Sequence, residues 1–488
     1  MTQKEMQSIL EIGTAISSEK DYNRLLEMIL NRIMELTHAD AGTLYLADGD
    51  LLRFKIMCNN TMHTCEGGDG KEPNLPPVRM SRENVCAMCY LENRTVCIEN
   101  VRTSTEYDFS GPVRYDAMTG YHTQSMLVVP MHNRQGERLG VIQLINAMDA
   151  AGNICAFPAD IIPAVESVAS QAAITIQNVL YIENIKELFE SFVRVMSSAV
   201  DERTPYNASH TRHMVEYGRH FIDYLNETAK AEGREPWFDA EHRHELLMSV
   251  WLHDIGKLVI PLEVMNKEAR LLPEQKSEIL HRFEKMRLLA QIACLKGAIS
   301  GETLEKRLEE LKQAGDTILR ANTAGFCPDD LREEICRIRE KTYTEEDGSE
   351  KPWLEEEEFQ MLMIRKGTLS EKERAVMESH VVITDKLLSE IRFSKELSHV
   401  REWAAGHHEL LNGSGYPKHL MAGQIPMEVR IITILDIFDA LVADDRPYKP
   451  GMPVEKALGI LDIMADKEGK LDPELTRLFR KSRCWEKD

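Results

Sequence analysis

Nowhere does this chain approach the ~18 uninterrupted apolar residues of a membrane-spanning helix, and its opening stretch, MTQKEMQSILEIG, lacks the apolar core of an export signal. A cytoplasmic protein is expected, with no membrane partner. Positive charge is also short: 59 lysines and arginines face 80 aspartates and glutamates, a formal net charge of -21. Such a field repels nucleic acid polymers and anionic membrane at long range. It leaves room for a small phosphate ligand, since a local metal or lysine can reverse the sign. Cysteine is sparse, ten in 488 residues, and without an export signal these are expected to be reduced thiols. The rest is ordinary. A chain 43% hydrophobic and 28% charged is a folded globular one, and its length calls for two or more domains.

Three regions differ in pattern. Residues 1–163 read as α/β, an antiparallel sheet flanked by helices. YNRLLEMILNRIMELTHA sets Leu25, Ile29, Ile33 and Leu36 at helical spacing, and GTLYLAD, LLRFKIMC, TVCIENV, SMLVVPMHN and RLGVIQLINAMD are strand-like. NRQGE marks a hairpin tip. Residues 164–203 then form one long helix, since neither proline nor glycine occurs between Pro163 and Pro205. Its length is roughly 60 Å at ~1.5 Å per residue. Val165, Val168, Ala172, Val179, Ile182, Phe189, Val193, Met196 and Val200 give it a heptad seam, broken by Thr175 and Lys186. That seam predicts a homodimer through this linker helix; a helix packed along its own domains is the alternative. Residues 204–488 read as all-helical, with a helical hairpin inserted at about 285–367. Leu304, Leu308, Leu311 and Ile318 share one face there, Leu331, Ile335 and Ile338 another, and Asp329 serves as an N-cap.

The chemistry collects in this last region. VWLHDIGKLVIP holds His253, Asp254 and Lys257, read as crowding one face of a helix. A His-Asp pair at the end of an apolar run is costly to bury without a partner; a divalent cation is one, and Lys257 then sits where a phosphate oxygen docks. His407 and His408 stand side by side in AAGHHELLNGSGYP, about 100° apart if helical, as suits the edge of a cluster better than a lone ion. ILDIFDAL adds Asp436 and Asp439, and His380 and His210 complete the set. Asp439 is read as a structural carboxylate and His213 as a surface side chain.

HDIGK, then HHELLNGSGYP, then DIFDALVADDRPYK resemble the HD-GYP phosphodiesterases, metal-dependent phosphohydrolases of the HD superfamily, over about 190–284 and 366–465. The resemblance implies an all-α domain with two divalent metal ions, iron or manganese, held by His210, His253, Asp254, His380, His407, His408 and Asp436. Asp254 would bridge the pair and, with Lys257, serve catalysis. Lys257, Gly415, Tyr416, Pro417, Arg446 and Lys449 would hold the substrate, cyclic di-GMP, which the family opens to linear pGpG and which some members carry on to GMP. Imidazole and carboxylate donors suit iron or manganese better than a thiolate zinc site, and two adjacent cations would acidify a water and offset charge on the phosphoryl oxygens. Three-metal members carry a glutamate before the first histidine, whereas TPYNASH has no carboxylate, so two metals are expected. Leu411 and Asn412 stand where the family usually has charge. Another cyclic dinucleotide such as cyclic GMP-AMP, or a non-catalytic cyclic-dinucleotide receptor, are the alternatives.

YDAMTGYHTQSMLVVPMHNRQGERLGVIQLINA resembles GAF domains, small-molecule sensor modules, over about 10–182. It implies a regulatory domain with an unknown small-molecule effector. Cys58, Cys65, Cys86 and Cys89 gather in it, the last two as Cys-x-x-Cys. Such spacing can hold a metal or form a redox pair, and buried structural thiols are the other reading.

Overall fold

The computed structural model describes residues 15, 19 and 21–486, apart from 69, 71–72, 134, 204–208 and 444–450. The chain falls into two units, Met1–Phe189 and Glu190–Asp488. Among the described residues no helix is long and apolar enough to cross a membrane.

In the first unit, helix α1 (Tyr22–Thr37) starts where the Asp21 carboxylate accepts the Arg24 amide at 2.9 Å and stops at His38 in the left-handed region, φ 51°. Strands follow as β1 (Ala39–Asp48), β2 (Leu51–Asn59), β3 (Thr64–Gly67) and β4 (Val78–Arg79), then α2 (Val85–Glu92), β5 (Val96–Ile98), α3 (Ser110–Thr119), β6 (Met126–His132), β7 (Arg138–Met148) and β8 (Ile154–Cys155). They form one antiparallel sheet in the order β3-β2-β1-β7-β6-β5, with β4 on β2 and β8 on β7. The middle of β7 is buried almost without a break, because both faces are covered. One carries α1 and the start of α4 (Ile162–Asp201), through Leu26, Ile29, Val165 and Ala172. The other carries α2, through Val85, Ala87 and Met88.

Two sequence expectations change here. Most of the seam read along α4 is consumed inside the units. Val165, Val168 and Ala172 are fully buried, and Val193 and Val200 are 2% and 4% exposed. Val165, Val168 and Ala172 belong to the first unit's core, and positions as buried as these five cannot also face a second helix. Second, Cys58 and Cys65 are not reduced thiols. They are direct register partners of the antiparallel β2–β3 pair, Cα to Cα 4.1 Å, and are joined as a disulfide.

The second unit runs α5 (His210–Ala231), α6 (Ala240–Leu252), a 3₁₀ turn Ile255–Val259, α7 (Leu262–Met265), α8 (Pro273–Leu295), α9 (Gly301–Thr323), α10 (Asp329–Arg339), β9 (Thr342–Thr344), β10 (Glu350–Pro352), α11 (Glu356–Leu362), α12 (Glu371–Glu378), α13 (His380–Leu388), α14 (Val400–Ala405), α15 (Met427–Val442), α16 (Val454–Asp466) and α17 (Pro473–Ser482). Its main core joins α5, α6, α14, α15, α16 and α17 around Phe221, Leu246, Trp403, Leu435, Phe438 and Phe479. The inserted segment has a core of its own, built on Ile279, Phe283, Ile318, Ile335, Trp353 and Leu354. It begins earlier than expected and is not purely helical, since β9 and β10 pair as a ribbon. Pro328, not Asp329, caps α10. Arg270, fully buried, closes the base of the insertion by donating to the carbonyls of Ala321, Ala324 and Ile364.

Candidate metal centre

The site is assembled by chain turns rather than along helix faces. Helix α6 ends at Leu252, so His253, Asp254 and Lys257 do not share an α-helical face as expected. The 3₁₀ turn brings the Lys257 Nζ to 2.5 Å from Asp254 Oδ2 instead. This turn packs so closely on α13 that a Cβ at Gly256 would stand 2.0 Å from the His380 carbonyl oxygen. The Thr384 hydroxyl fastens the two segments, accepting from the Gly256 amide at 3.0 Å and donating to the His253 carbonyl at 3.1 Å. His407 and His408 likewise lie beyond the end of α14, their ring centroids 4.1 Å apart. Freed from helical geometry, they turn toward one place, and the Thr433 hydroxyl on α15 donates to the His407 carbonyl at 2.8 Å.

Three imidazoles are oriented in the same way. The Nδ1 atoms of His253, His380 and His407 lie 2.7, 2.7 and 2.6 Å from the carbonyls of Val250, Met377 and Ala404, three residues earlier in each case. A carbonyl only accepts, so each Nδ1 carries the proton and each Nε2 presents a lone pair to the centre. His210 is oriented by Asp439 instead, whose Oδ2 is 2.6 Å from Nδ1. Asp439 thus acts on the site through a histidine. His213, a third exposed, also faces it, with Nδ1 3.5 Å from Oδ1.

Two groups of donors result: His380, His407 and His408, and His210, His253 and Asp254, with ligand atoms within 4.8 Å of one another in each. Asp254 faces both. Its Oδ2 is 3.2 Å from His253 Nε2 and 3.9 Å from His210 Nε2, while its Oδ1 is 3.4 Å from His380 Nε2 and 3.8 Å from His407 Nε2. Asp436 also stands between the groups, 3.4 Å from His210 Nε2 and 3.7 Å from His408 Nδ1.

These residues fit a pair of cations. His253 Nε2 and Asp254 Oδ1 are buried and make no hydrogen bond, which is costly unless something else binds them. The Nε2 atoms of His380 and His407 face each other at 3.4 Å with lone pairs on both, an arrangement that a positive ion between them relieves. Burial, aided by the neighbouring imidazoles, pushes His407 well down and His408 to about 4, so both are neutral donors at neutral pH. Burial opposes the charge of Asp254, but Lys257 and His253 hold its carboxyl well below the usual range. Burial also opposes a charged His210, yet hydrogen bonding to Asp436 and Asp439 outweighs it and lifts that histidine to about 10. The pocket demands positive charge.

The rim is the loop after His408. Gly413 has φ +76°, in the left-handed region, and a Cβ at Gly415 would lie 2.3 Å from the Leu410 amide nitrogen. Tyr416 packs its ring 4.8 Å from that of His408 and precedes Pro417 through a cis peptide bond. Glu409, which sequence reasoning passed over, is 3% exposed and holds this loop, accepting the Lys418 amide at 2.6 Å and the Leu420 amide at 2.9 Å. An acidic side chain next to two histidines gave no sequence signal of that role. Glu409→Ala strands both amides, at ~1–3 kcal/mol for each buried group left unpaired. A loss of about 3 kcal/mol in urea unfolding is expected, and about half of it for Glu409→Gln.

Of the remaining expected residues, Arg446 and Lys449 lie outside the described residues, as does most of TPYNASH. Asp201, ahead of that stretch, is buried and accepts the Thr211 hydroxyl at 3.0 Å; Glu202 is exposed. The four cysteines do not come together. Cys58 and Cys65 are bonded to each other, while Cys86 and Cys89 are buried on α2, where burial pushes the Cys86 thiol up to about 12 and raises Cys89 as well. Among the described residues no metal-competent group includes a cysteine.

Comparison with known proteins follows the same division. Residues 21–176 match the GAF domain and residues 357–475 the HD domain, a domain that implies dependence on divalent metal. The 3'3'-cGAMP-specific phosphodiesterase 3 of Vibrio cholerae is 36% identical over 121 residues, 25% of this chain and 25% of that protein. A cyclic di-GMP phosphodiesterase of Thermotoga maritima is 36% identical over 121 residues, 25% of this chain and 32% of that one. The cyclic di-GMP phosphodiesterase response regulator RpfG of Xanthomonas campestris is 39% identical over 102 residues, 20% and 26%. The chain spans about a quarter to a third of the length of these relatives. It therefore joins a GAF domain to an HD domain related to those of cyclic-dinucleotide phosphodiesterases.

Proposed function

We propose that this chain is a cytoplasmic, metal-dependent phosphodiesterase that opens cyclic di-GMP to linear pGpG, under control of its GAF domain and an unassigned small-molecule effector. The observation that carries the reading is Asp254, whose two oxygens face two separate groups of imidazoles. His210, His253, His380, His407, His408 and Asp436 would complete the ligand set, and iron or manganese suits such donors. A bound pair supplies an acidified water and offsets charge on the phosphoryl oxygens.

The chain's own groups do the rest. The carbonyls of Val250, Met377 and Ala404 hold three imidazoles in one tautomer, so no reorganisation is needed when a ligand arrives. Lys257, beside Asp254 and a fifth exposed, brings an ammonium to the edge of the site, where it would bind a substrate phosphate oxygen. Burial opposes its charge, but Asp254 and Asp436 outweigh that and keep Lys257 above the usual lysine range. Tyr416 and Pro417 would wall the pocket against a base, and Gly415 lets that wall approach. We take the working unit to be a homodimer joined along α4.

A second substrate reading has specific support. Leu411 and Asn412 lie in the rim loop, and one relative acts, by its name, on 3'3'-cGAMP. Incubating manganese- or iron(II)-loaded full-length protein with cyclic di-GMP and, separately, with cyclic GMP-AMP decides the matter by mass spectrometry of the products. Linear pGpG formed at least tenfold faster than the mixed product supports the first reading, and the reverse supports the second. Binding of either nucleotide with no turnover in loaded protein leaves a receptor and removes the enzyme.

A further inference from the structure

Along α4, residues 181–188 are exposed on every side, yet the stretch is not polar. Tyr181, Ile182, Ile185, Leu188, Phe192 and Val195 are between 53% and 71% exposed. An apolar stripe of this size on bare helix signals a contact surface. Tyr181, Ile185, Leu188, Phe192 and Val195 recur at alternating steps of four and three, the spacing of a two-stranded coiled-coil seam. This stripe differs from the seam read in the sequence, most of which packs inside the chain's own units.

Its flanks identify the occupant. On one side stand Ile182, Phe189 and Met196, on the other Asn184, Ser191 and Ser198. None is charged. The charged residues Glu183, Lys186, Glu187, Glu190 and Arg194 all occupy the outer positions, and the face opposite the seam is closed by buried Val193, Ser197 and Val200. A protein with a formal net charge of -21 repels its own copies, so a contact between copies has to be free of charge, as this one is. A basic partner would find nothing here to pair with. The six exposed side chains offer roughly 600 Å² per copy, most of the ~800 Å² per partner typical of a stable interface.

We propose that this stripe is where two copies of the chain meet, as a parallel, in-register coiled coil over 181–195. The proposal rests on the homodimer reading above and adds its face and register. In such a coil each seam residue meets its own counterpart across the two-fold axis.

Sedimentation of the full-length protein at micromolar concentration tests it. The wild type should run as a dimer, and the double variant Ile185→Glu, Leu188→Glu as a monomer with unchanged circular dichroism. Glu183→Lys, on the outer face, should stay dimeric. Under mild oxidation Leu188→Cys should give a covalent dimer in at least tenfold higher yield than Glu183→Cys. A monomeric wild type overturns both this proposal and the homodimer reading. A dimer that survives the double glutamate variant, or that crosslinks equally through Glu183→Cys, overturns the stripe and leaves the dimer.

Discussion

On the proposed function, Asp254→Asn should leave a folded protein that carries little metal and hydrolyses cyclic di-GMP at least ~1,000-fold more slowly, a loss of about 4 kcal/mol in transition-state stabilisation. The size follows from position. Each Asp254 oxygen faces a different group of imidazoles, and an amide keeps one acceptor while turning a donor toward the other group. The histidines of both groups then lose the carboxylate they share. Lys257 loses its partner at 2.5 Å, but it is a fifth exposed and can turn to solvent, so the cost should fall on metal content more than on folding. Metal analysis of the purified variant, single-turnover rates and a thermal melt separate these effects. Near-wild-type metal content with a rate within tenfold of wild type would show that no shared carboxylate is needed.

Much of this centre was legible because its donors are rare side chains in apolar company. His253 and Asp254 close an apolar helix, and Asp436 sits in one; such placement is expensive without a charged partner. The directions of the side chains were not legible. His407 and His408 read as neighbours on a helix should diverge, yet α14 stops at Ala405 and both turn inward. Helix ends depend on tertiary packing, here of Gly256 on α13 and of Thr433 on His407, which no periodicity reports. The residues that position these side chains gave still less signal: Thr384 and Glu409 look like any threonine and glutamate until the backbone groups they bind are in place.

The linker helix shows the same limit from the other side. Heptad spacing along α4 is real, but the helix carries more than one apolar stripe, and spacing alone does not say which stripe its own domains cover. Val165, Val168 and Ala172 are spent on the first unit's core, and Val193 and Val200 are buried as well. Burial decides, and burial is a property of the fold. The cysteines repeat the lesson: Cys58 and Cys65 are seven apart in sequence but opposite in register, a pairing that only the β2–β3 strand alignment creates.

Because the backbone around Gly256 is so closely packed, Gly256→Ala should be among the most damaging single-methyl changes in the second unit. Ordinary overpacking costs ~1–3 kcal/mol because flexible side chains give way. Here the added carbon would meet the His380 carbonyl oxygen at 2.0 Å and the Thr384 amide nitrogen at 2.7 Å, atoms that cannot move without shifting α13. A loss of about 4 kcal/mol or more is expected in denaturant unfolding of the full chain, which places the change among the exceptional destabilising ones. Thr384→Val offers the contrast. It removes the hydroxyl that joins the Gly256 amide to the His253 carbonyl but adds no clash, so about 1–2 kcal/mol is expected. The two variants should also differ at the site. Displacing α13 moves His380 away from Asp254, so Gly256→Ala should lose metal even where it remains folded, whereas Thr384→Val should retain most of it. If both variants keep full metal content and Gly256→Ala unfolds at the wild-type denaturant midpoint, the packing of the 3₁₀ turn on α13 is not what sets the distance between the two halves of the centre.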